Sequence, residues 1–265
     1  MQLNRDVLRE YMVAAPLALA FERTMECLIL ADQPFQRPIL DIGCGDGLFA
    51  KILFPEMIDT GIDPNLNELE QAGKLNVYKE LIHCSGAAIP KPGGFYKTIL
   101  SNSVIEHIPD LGAVLNEAHR LLAPGGRFYF TVPSDLFESY TVIYQLLNAM
   151  RCYGWAKRFG RFFNRFWRHY HCYPADQWEE IAIKVGFEIV DRYSYGPRHI
   201  CILNDMLTLL SVPALATKKL VNRWTLFPWL RRMTLYPIYL TALPSIQSGV
   251  KAESGGLVFL ALTKK

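Results

Sequence analysis

Metal-ligand and disulfide patterns are missing from this 265-residue chain. Its six cysteines (Cys27, Cys44, Cys84, Cys152, Cys172 and Cys201) are scattered, with no CxxC pair and no His/Cys spacing suited to a metal. A zinc site or a disulfide framework is therefore not expected, and a reducing compartment fits. No run approaches the ~18 uninterrupted apolar residues that a membrane-spanning helix needs. The apolar run from Met12 to Phe21 is short, follows the mixed charges Arg5, Asp6, Arg9 and Glu10, and lacks a cleavage-site pattern. It reads as a helix face rather than a signal peptide, which leads to the expectation of a cytoplasmic protein. Internal repeats and low-complexity tracts are absent as well. Charged residues are few, at 20%, against 51% hydrophobic and 12% aromatic. That balance leaves apolar surface beyond what one core requires.

Acids are missing from two long stretches. Between Ser139 and Ala175 there is no Asp or Glu but six Lys or Arg, and the same holds between Met206 and Ala252. The remainder carries 16 bases against 25 acids, so an acidic body bears two basic segments. Such asymmetry points to an anionic partner: a membrane face, a phosphorylated substrate or nucleic acid.

What is present is a regular alternation of strands and helices. Leu3 to Ala31 reads as helical, divided near Pro16. Strands are predicted over Pro38 to Ile42, Met57 to Ile62, Val77 to His83, Tyr96 to Ser101 and Arg127 to Val132. Helices are predicted over Asp46 to Leu53, Leu66 to Gly73 and Leu111 to Leu122, the last stopped by Pro124-Gly125-Gly126. After two further segments, a helix at Pro174 to Val185 and a strand at Phe187 to Tyr195, the chain closes on a strand at Leu257 to Thr263. This spacing implies one Rossmann-like α/β domain over residues 1–265, a seven-stranded, mostly parallel sheet with helices on both faces. Residues 135–173 and 196–254 interrupt the pattern as helical insertions expected to form a lid. The prolines at 213, 228, 237 and 244 are expected to break the second into short pieces.

The chemistry concentrates at strand ends. Leu40-Asp41-Ile42-Gly43-Cys44-Gly45-Asp46-Gly47 stands where a buried strand hands over to a helix. Glycines allow a tight turn and let a ligand approach the backbone. Such a turn alone is weak evidence. The second strand adds weight: it ends Gly61-Ile62-Asp63-Pro64-Asn65, with Asp63 twenty residues beyond Gly43. A carboxylate at that position can accept from both hydroxyls of a ribose.

These residues resemble the class I S-adenosylmethionine-dependent methyltransferases, in particular the small-molecule group sometimes called type 11. Further matches follow in the family's order: Ser101 to Ile108 (SNSVIEHI) after the fourth strand, Leu122 to Phe128 (LAPGGRF) before the fifth, and Gly186-Phe187 before the sixth. The resemblance covers Arg37 to Pro133 well, and Tyr173 to Tyr195 and the last strand loosely. It implies S-adenosylmethionine as cofactor. Asp41, Gly43, Cys44, Gly45 and Gly47 would hold its methionine end, with Asn102 and Ser103 beside it. Asp63 would bind the ribose, Pro64 or Asn65 would flank the adenine, and Ala87 would lie near the adenine edge. Two departures stand out. Cys84-Ser85-Gly86-Ala87 lacks the acid that commonly precedes the small residue, and Phe95-Tyr96 replaces a common Phe-Asp.

Methyl transfer from a sulfonium needs aligned reactants, and a hydroxyl or carbon acceptor also needs a base. His107, after the fourth strand, is the candidate; the alternative is that Glu106-His107 only orders its loop. His169, His171 and Tyr140 could reach over the pocket or pack in a lid. In Arg151 to Tyr173, the rings of Trp155, Phe159, Phe162, Phe163, Phe166 and Tyr170 are expected on one helix face, beside Arg158, Arg161, Arg165 and Arg168. That pattern suits either a lid over a bulky or lipid-linked acceptor or a face against an anionic membrane at its inner surface. The expected function is methylation of such an acceptor, with oxygen favoured. The alternatives are RNA methylation, which lacks an appended RNA-binding module, and cofactor binding without catalysis.

Overall fold

The computed structural model describes residues 6–221, 224, 225 and 227–265. The start of the expected first helix, before Asp6, lies outside them.

Alternating apolar runs and amphipathic stretches give a seven-stranded sheet of order β3-β2-β1-β4-β5-β7-β6. The strands are β1 (Ile39–Ile42), β2 (Ile58–Asp63), β3 (Tyr78–His83), β4 (Tyr96–Asn102), β5 (Leu122–Pro133), β6 (Phe187–Tyr195) and β7 (Leu257–Lys264). The first five pair in parallel, and β7 runs antiparallel between β5 and β6. The expected Rossmann-like sheet is therefore present, with the reversal confined to one strand. All four residues of β1 are buried, as the continuous apolar run of a doubly covered parallel strand requires. The strand order reverses between β1 and β4, which opens a crevice at their carboxyl ends.

Two apolar cores cover the two faces. One packs α1 (Val7–Ala14), α2 (Leu17–Ala31), α3 (Leu48–Leu53), α4 (Leu66–Leu75) and α11 (Tyr236–Ser248) on the sheet. The other packs α5 (Leu111–Leu121) and α8 (Ala175–Val185) on the opposite side. Local chemistry sets the boundaries. Asp110 accepts from the Ala113 N–H to start α5, Asn65 does the same for α4 from Asn67, and Gly186, at φ 107°, ends α8. As expected, Pro16 separates the first two helices.

Two expectations need correction. The proline-glycine segment does not separate α5 from the fifth strand, because β5 begins at Leu122, which pairs with Tyr96. The second insertion is not a chain of short pieces either. It opens with a 24-residue helix, α9 (Arg198–Val221), which continues through position 213. Pro228 and Pro237 stand in the first turns of α10 (Pro228–Thr234) and α11, where a missing N–H costs little, but Pro244 lies inside α11. Packing of α9 along α2 outweighs the local cost that proline imposes. The first insertion forms α6 (Val142–Ala149) and α7 (Tyr153–Trp167), packed on each other. Among the described residues, no helix is long and apolar enough to cross a membrane.

Candidate active site

The glycine turn is built by strand pairing. Gly43 and Cys44 both donate their N–H to the Ile62 carbonyl at 2.9 Å, which locks the turn after β1 against the end of β2. Gly43 has φ 77°, and a Cβ there would lie 2.3 Å from Val104 Cγ1, so this position is closed to any side chain. Gly45 has φ 52° and faces the other way: no atom lies within 4 Å of where its Cβ would point. Asp63 stands beside it. Its Oδ2 accepts from the Gly45 N–H at 3.0 Å and its Oδ1 from the Asn65 N–H at 2.8 Å. Each oxygen keeps a lone pair in reserve, enough for a diol.

The other residues expected here occupy varied settings. Asp41 is buried and accepts from the Tyr78 hydroxyl at 2.7 Å. Burial pushes its carboxyl up to about 7, against the lowering effect of that bond. Cys44 is also buried, and burial, with Asp41 and Asp63 nearby, holds its thiol well above the ordinary range. Gly47 forms the N-terminal cap of α3. The Pro64 carbonyl lies 2.9 Å from His83 Nε2. Ala87 donates its N–H to Ser85 Oγ at 3.2 Å, so that hydroxyl closes its own turn.

Asn102 and Ser103 belong to a buried polar cluster that sequence reasoning missed. Glu26, on α2, is 0% exposed and gathers four donors. These are Arg23 Nη1 at 2.7 Å, Asn102 Nδ2 at 2.7 Å, Ser103 Oγ at 2.8 Å and the Tyr195 hydroxyl at 3.0 Å. A buried carboxylate with its lone pairs filled is tolerable where a bare one is not. Ser103 sits in the left-handed region at φ 50°, held there by N–H bonds to the carbonyl and hydroxyl oxygens of Thr131, both at 3.0 Å. Burial opposes the charge of Arg23, but Glu26 and Glu22 outweigh it and raise its pKa. Burial, with Glu26 close by, lifts Glu22 to about 7. The available signal was three charges, Glu22, Arg23 and Glu26, on an otherwise apolar helix.

A cavity of about 250 Å³ opens beside this cluster, bounded by α2, the turn after β4, α7 and α9. Glu22, Arg23 and Ser103 line it, and so do Glu106, His107 and the rings of Phe163 and Trp167. Glu106 is 2% exposed, and its Oε2 has no hydrogen-bond partner. Burial pushes its carboxyl up to about 8, which favours the protonated form. His107 Nδ1 lies 3.2 Å from the Arg168 carbonyl. A carbonyl only accepts, so Nδ1 carries the hydrogen and Nε2 keeps its lone pair. Burial lowers the pKa of this ring, favouring its neutral form. The His169 ring lies beside it at a tilt of 33°, with ring centroids 5.1 Å apart, and burial brings its pKa down to about 4. His171 instead ties its loop to the Ile108 carbonyl at 3.0 Å, and Tyr140 lines the cavity while bonding Ser254 Oγ at 2.9 Å.

The second insertion reaches the glycine turn, which sequence reasoning did not foresee. Trp224 Nε1 donates to Asp46 Oδ2 at 3.1 Å. Lys218 lies 3.2 Å from Glu68 and 3.8 Å from Asp46, with its ammonium 5.0 Å from the Trp224 ring centroid. Farther up α9, Ser211 Oγ accepts from the Ala18 N–H at 3.1 Å.

A sheet of this order, with a glycine turn after β1 and an acid closing β2, is the architecture of the class I S-adenosylmethionine-dependent methyltransferases. The chain belongs to the methyltransferase-domain family, whose model matches residues 11–192. The turn suits the cofactor of that class: Gly45 leaves its outer side clear and Asp63 has acceptor capacity in reserve. Among curated proteins, the chain is similar to the ubiquinone biosynthesis O-methyltransferase of Pectobacterium carotovorum. Identity is 30% over 110 residues, which is 38% of this chain and 45% of that protein. The chain spans less than half the length of the curated relatives it matches. Among solved structures, a possible histamine N-methyltransferase of Thermotoga maritima superposes with a TM-score of 0.59 at 17% identity. The match covers 94% of this chain and 92% of that one. The phosphoethanolamine N-methyltransferase 2 of Haemonchus contortus, solved with S-adenosylhomocysteine, gives 0.52 at 19%, over 93% of this chain and 52% of that one. At such identities the likeness concerns the fold.

Proposed function

We propose that this protein transfers a methyl group from S-adenosylmethionine to an oxygen of a bulky, largely apolar acceptor held in the cavity between α2, α7 and α9. The observation that carries the reading is His107 in the wall of an aromatic-lined cavity that adjoins Ser103 just after β4, with Nδ1 turned to the Arg168 carbonyl at 3.2 Å and Nε2 3.8 Å from Glu106 Oε1. The curated relatives named as O-methyltransferases support the choice of oxygen.

Asp63 would take the ribose hydroxyls. The backbone of Gly43, Cys44, Gly45 and Gly47 would cradle the methionine end, with Asp41 beneath it, and Pro64 and Ala87 would flank the adenine. Asn102 and Ser103, fixed by Glu26, would border the methionine side, and Arg23 offers a cation for its carboxylate. When bound, the cofactor supplies an activated methyl group. His107 Nε2 takes the proton of the acceptor hydroxyl as oxygen attacks, and the Nδ1–H bond to Arg168 steadies the imidazolium that forms. Phe163 and Trp167 exclude water and orient the acceptor. The second insertion, latched to Asp46 through Trp224, acts as the lid.

Isotope-labelled methyl transfer into extracted lipids and small molecules, followed by identification of the product, tests the reading. An oxygen-methylated, apolar product is expected. A nitrogen-methylated or RNA product would replace it.

A further inference from the structure

We propose that the outer face of the α6–α7 pair docks on an anionic lipid bilayer. The first insertion packs α6 on α7 and leaves one apolar stripe of each uncovered. On α6 and its C-terminal cap, Ile143, Leu146 and Met150 recur at helical spacing and are 50%, 58% and 70% exposed. On α7, Trp155, Phe162 and Phe166 fall on one face at 66%, 62% and 64% exposure. The expected single aromatic face of α7 is in fact split. Ala156 and Gly160 are buried and Phe163 and Trp167 line the cavity, whereas Tyr170 lies beyond the helix end. Helix α7 thus presents one ring-bearing side to the cavity and another to solvent. Large rings and a methionine exposed together are costly in water and ordinarily mark a contact surface.

Charge selects the occupant. Arg158, Arg161 and Arg165 are exposed along one edge of the outer α7 stripe, and the segment from Ser139 to Ala175 contains no acid. A second copy of this chain, docked through the same patch, would set arginine rows against each other, and the nearest acid, Glu138, is half-buried and already held by Asn164. RNA would use stacking rings and arginines, but the aliphatic stripe of α6 has nothing to stack. An anionic bilayer uses all three components: apolar side chains enter the interface, Trp155 sits at headgroup depth, and arginines meet lipid phosphates. Phe163 and Trp167 each follow an outer ring, Phe162 and Phe166, by one residue, about 100° around α7, so docking would bring the cavity wall within one helix diameter, about 10 Å, of the membrane surface.

The test uses the full chain in vesicle flotation at near-physiological salt of about 0.15 M, with phosphatidylglycerol–phosphatidylcholine vesicles set beside pure phosphatidylcholine. Flotation with the anionic vesicles alone is expected. The triple variant R158Q/R161Q/R165Q should weaken partition on the order of a hundredfold, at about fivefold per arginine. The variant W155S/F162S/F166S should abolish it. Calorimetric binding of S-adenosylmethionine, expected to be unchanged in both, reports that the variants fold. This assay needs no acceptor and no turnover, so it stands or falls apart from the proposed reaction. Absence of flotation, equal flotation with neutral vesicles, or a dimer that dissociates in W155S/F162S/F166S overturns the proposal. So does retention on single-stranded RNA without vesicle binding.

Discussion

Asp63 and Glu106 illustrate two fates of a carboxylate at a strand end. Asp63 holds two backbone amides and retains acceptor capacity, so Asp63→Ala is expected to weaken S-adenosylmethionine binding by roughly 10- to 100-fold in calorimetry; unchanged affinity would remove its ribose role. Glu106 is enclosed, with one oxygen unpartnered. Its folded pKa, about 8, lies above that of the unfolded chain. Its contribution to stability is therefore full below the unfolded value and is lost as pH rises through the folded one. Glu106→Gln should raise the melting temperature over wild type more at pH 8 than at pH 5. An equal shift at both would mean the carboxyl is not held protonated. His107→Ala should lower kcat by about 10²–10⁴-fold while cofactor affinity holds. In wild type the acidic limb of kcat/KM should fall below the ordinary histidine range, because burial depresses that ring. Wild-type turnover in the variant would leave His107 with loop ordering alone. The glycine turn and Asp63 were legible as residues because they follow strand ends in sequence. Glu26 was not, since its four donors come from α2, the end of β4 and the turn after it, and β6, and no local pattern brings them together.

Elements were legible where periodicity and breakers agreed. Strong periodicity made α5 plain, although the Pro124-Gly125-Gly126 segment expected to stop it lies inside β5. The pattern misled where tertiary packing overrode it, as in α9 at position 213, or where two faces of one helix were both aromatic, as in α7. The end of α9 carries its own prediction. Trp224→Phe keeps the ring over Lys218 but removes the N–H that reaches Asp46. Cofactor dissociation should then quicken, by about 5- to 10-fold for one charge-assisted bond. Stopped-flow displacement measures it, and an unaltered rate would separate this contact from cofactor retention.

At the scale of the whole molecule, alternation of apolar strands and amphipathic helices made a seven-stranded, mostly parallel sheet legible, whereas its strand order, with β7 inserted between β5 and β6, was not read from the sequence. Long-range closure was invisible, because it depends on contacts between the two ends of the chain. Tyr195 at the end of β6 reaches Glu26 near the start. That junction has a practical consequence. A fragment trimmed to begin at β1 would keep every strand yet leave Asn102, Ser103 and Tyr195 without their common acceptor, and the cavity without its floor. The first two helices therefore belong to the catalytic unit as much as the glycine turn does, and any engineered graft of this sheet must carry them along.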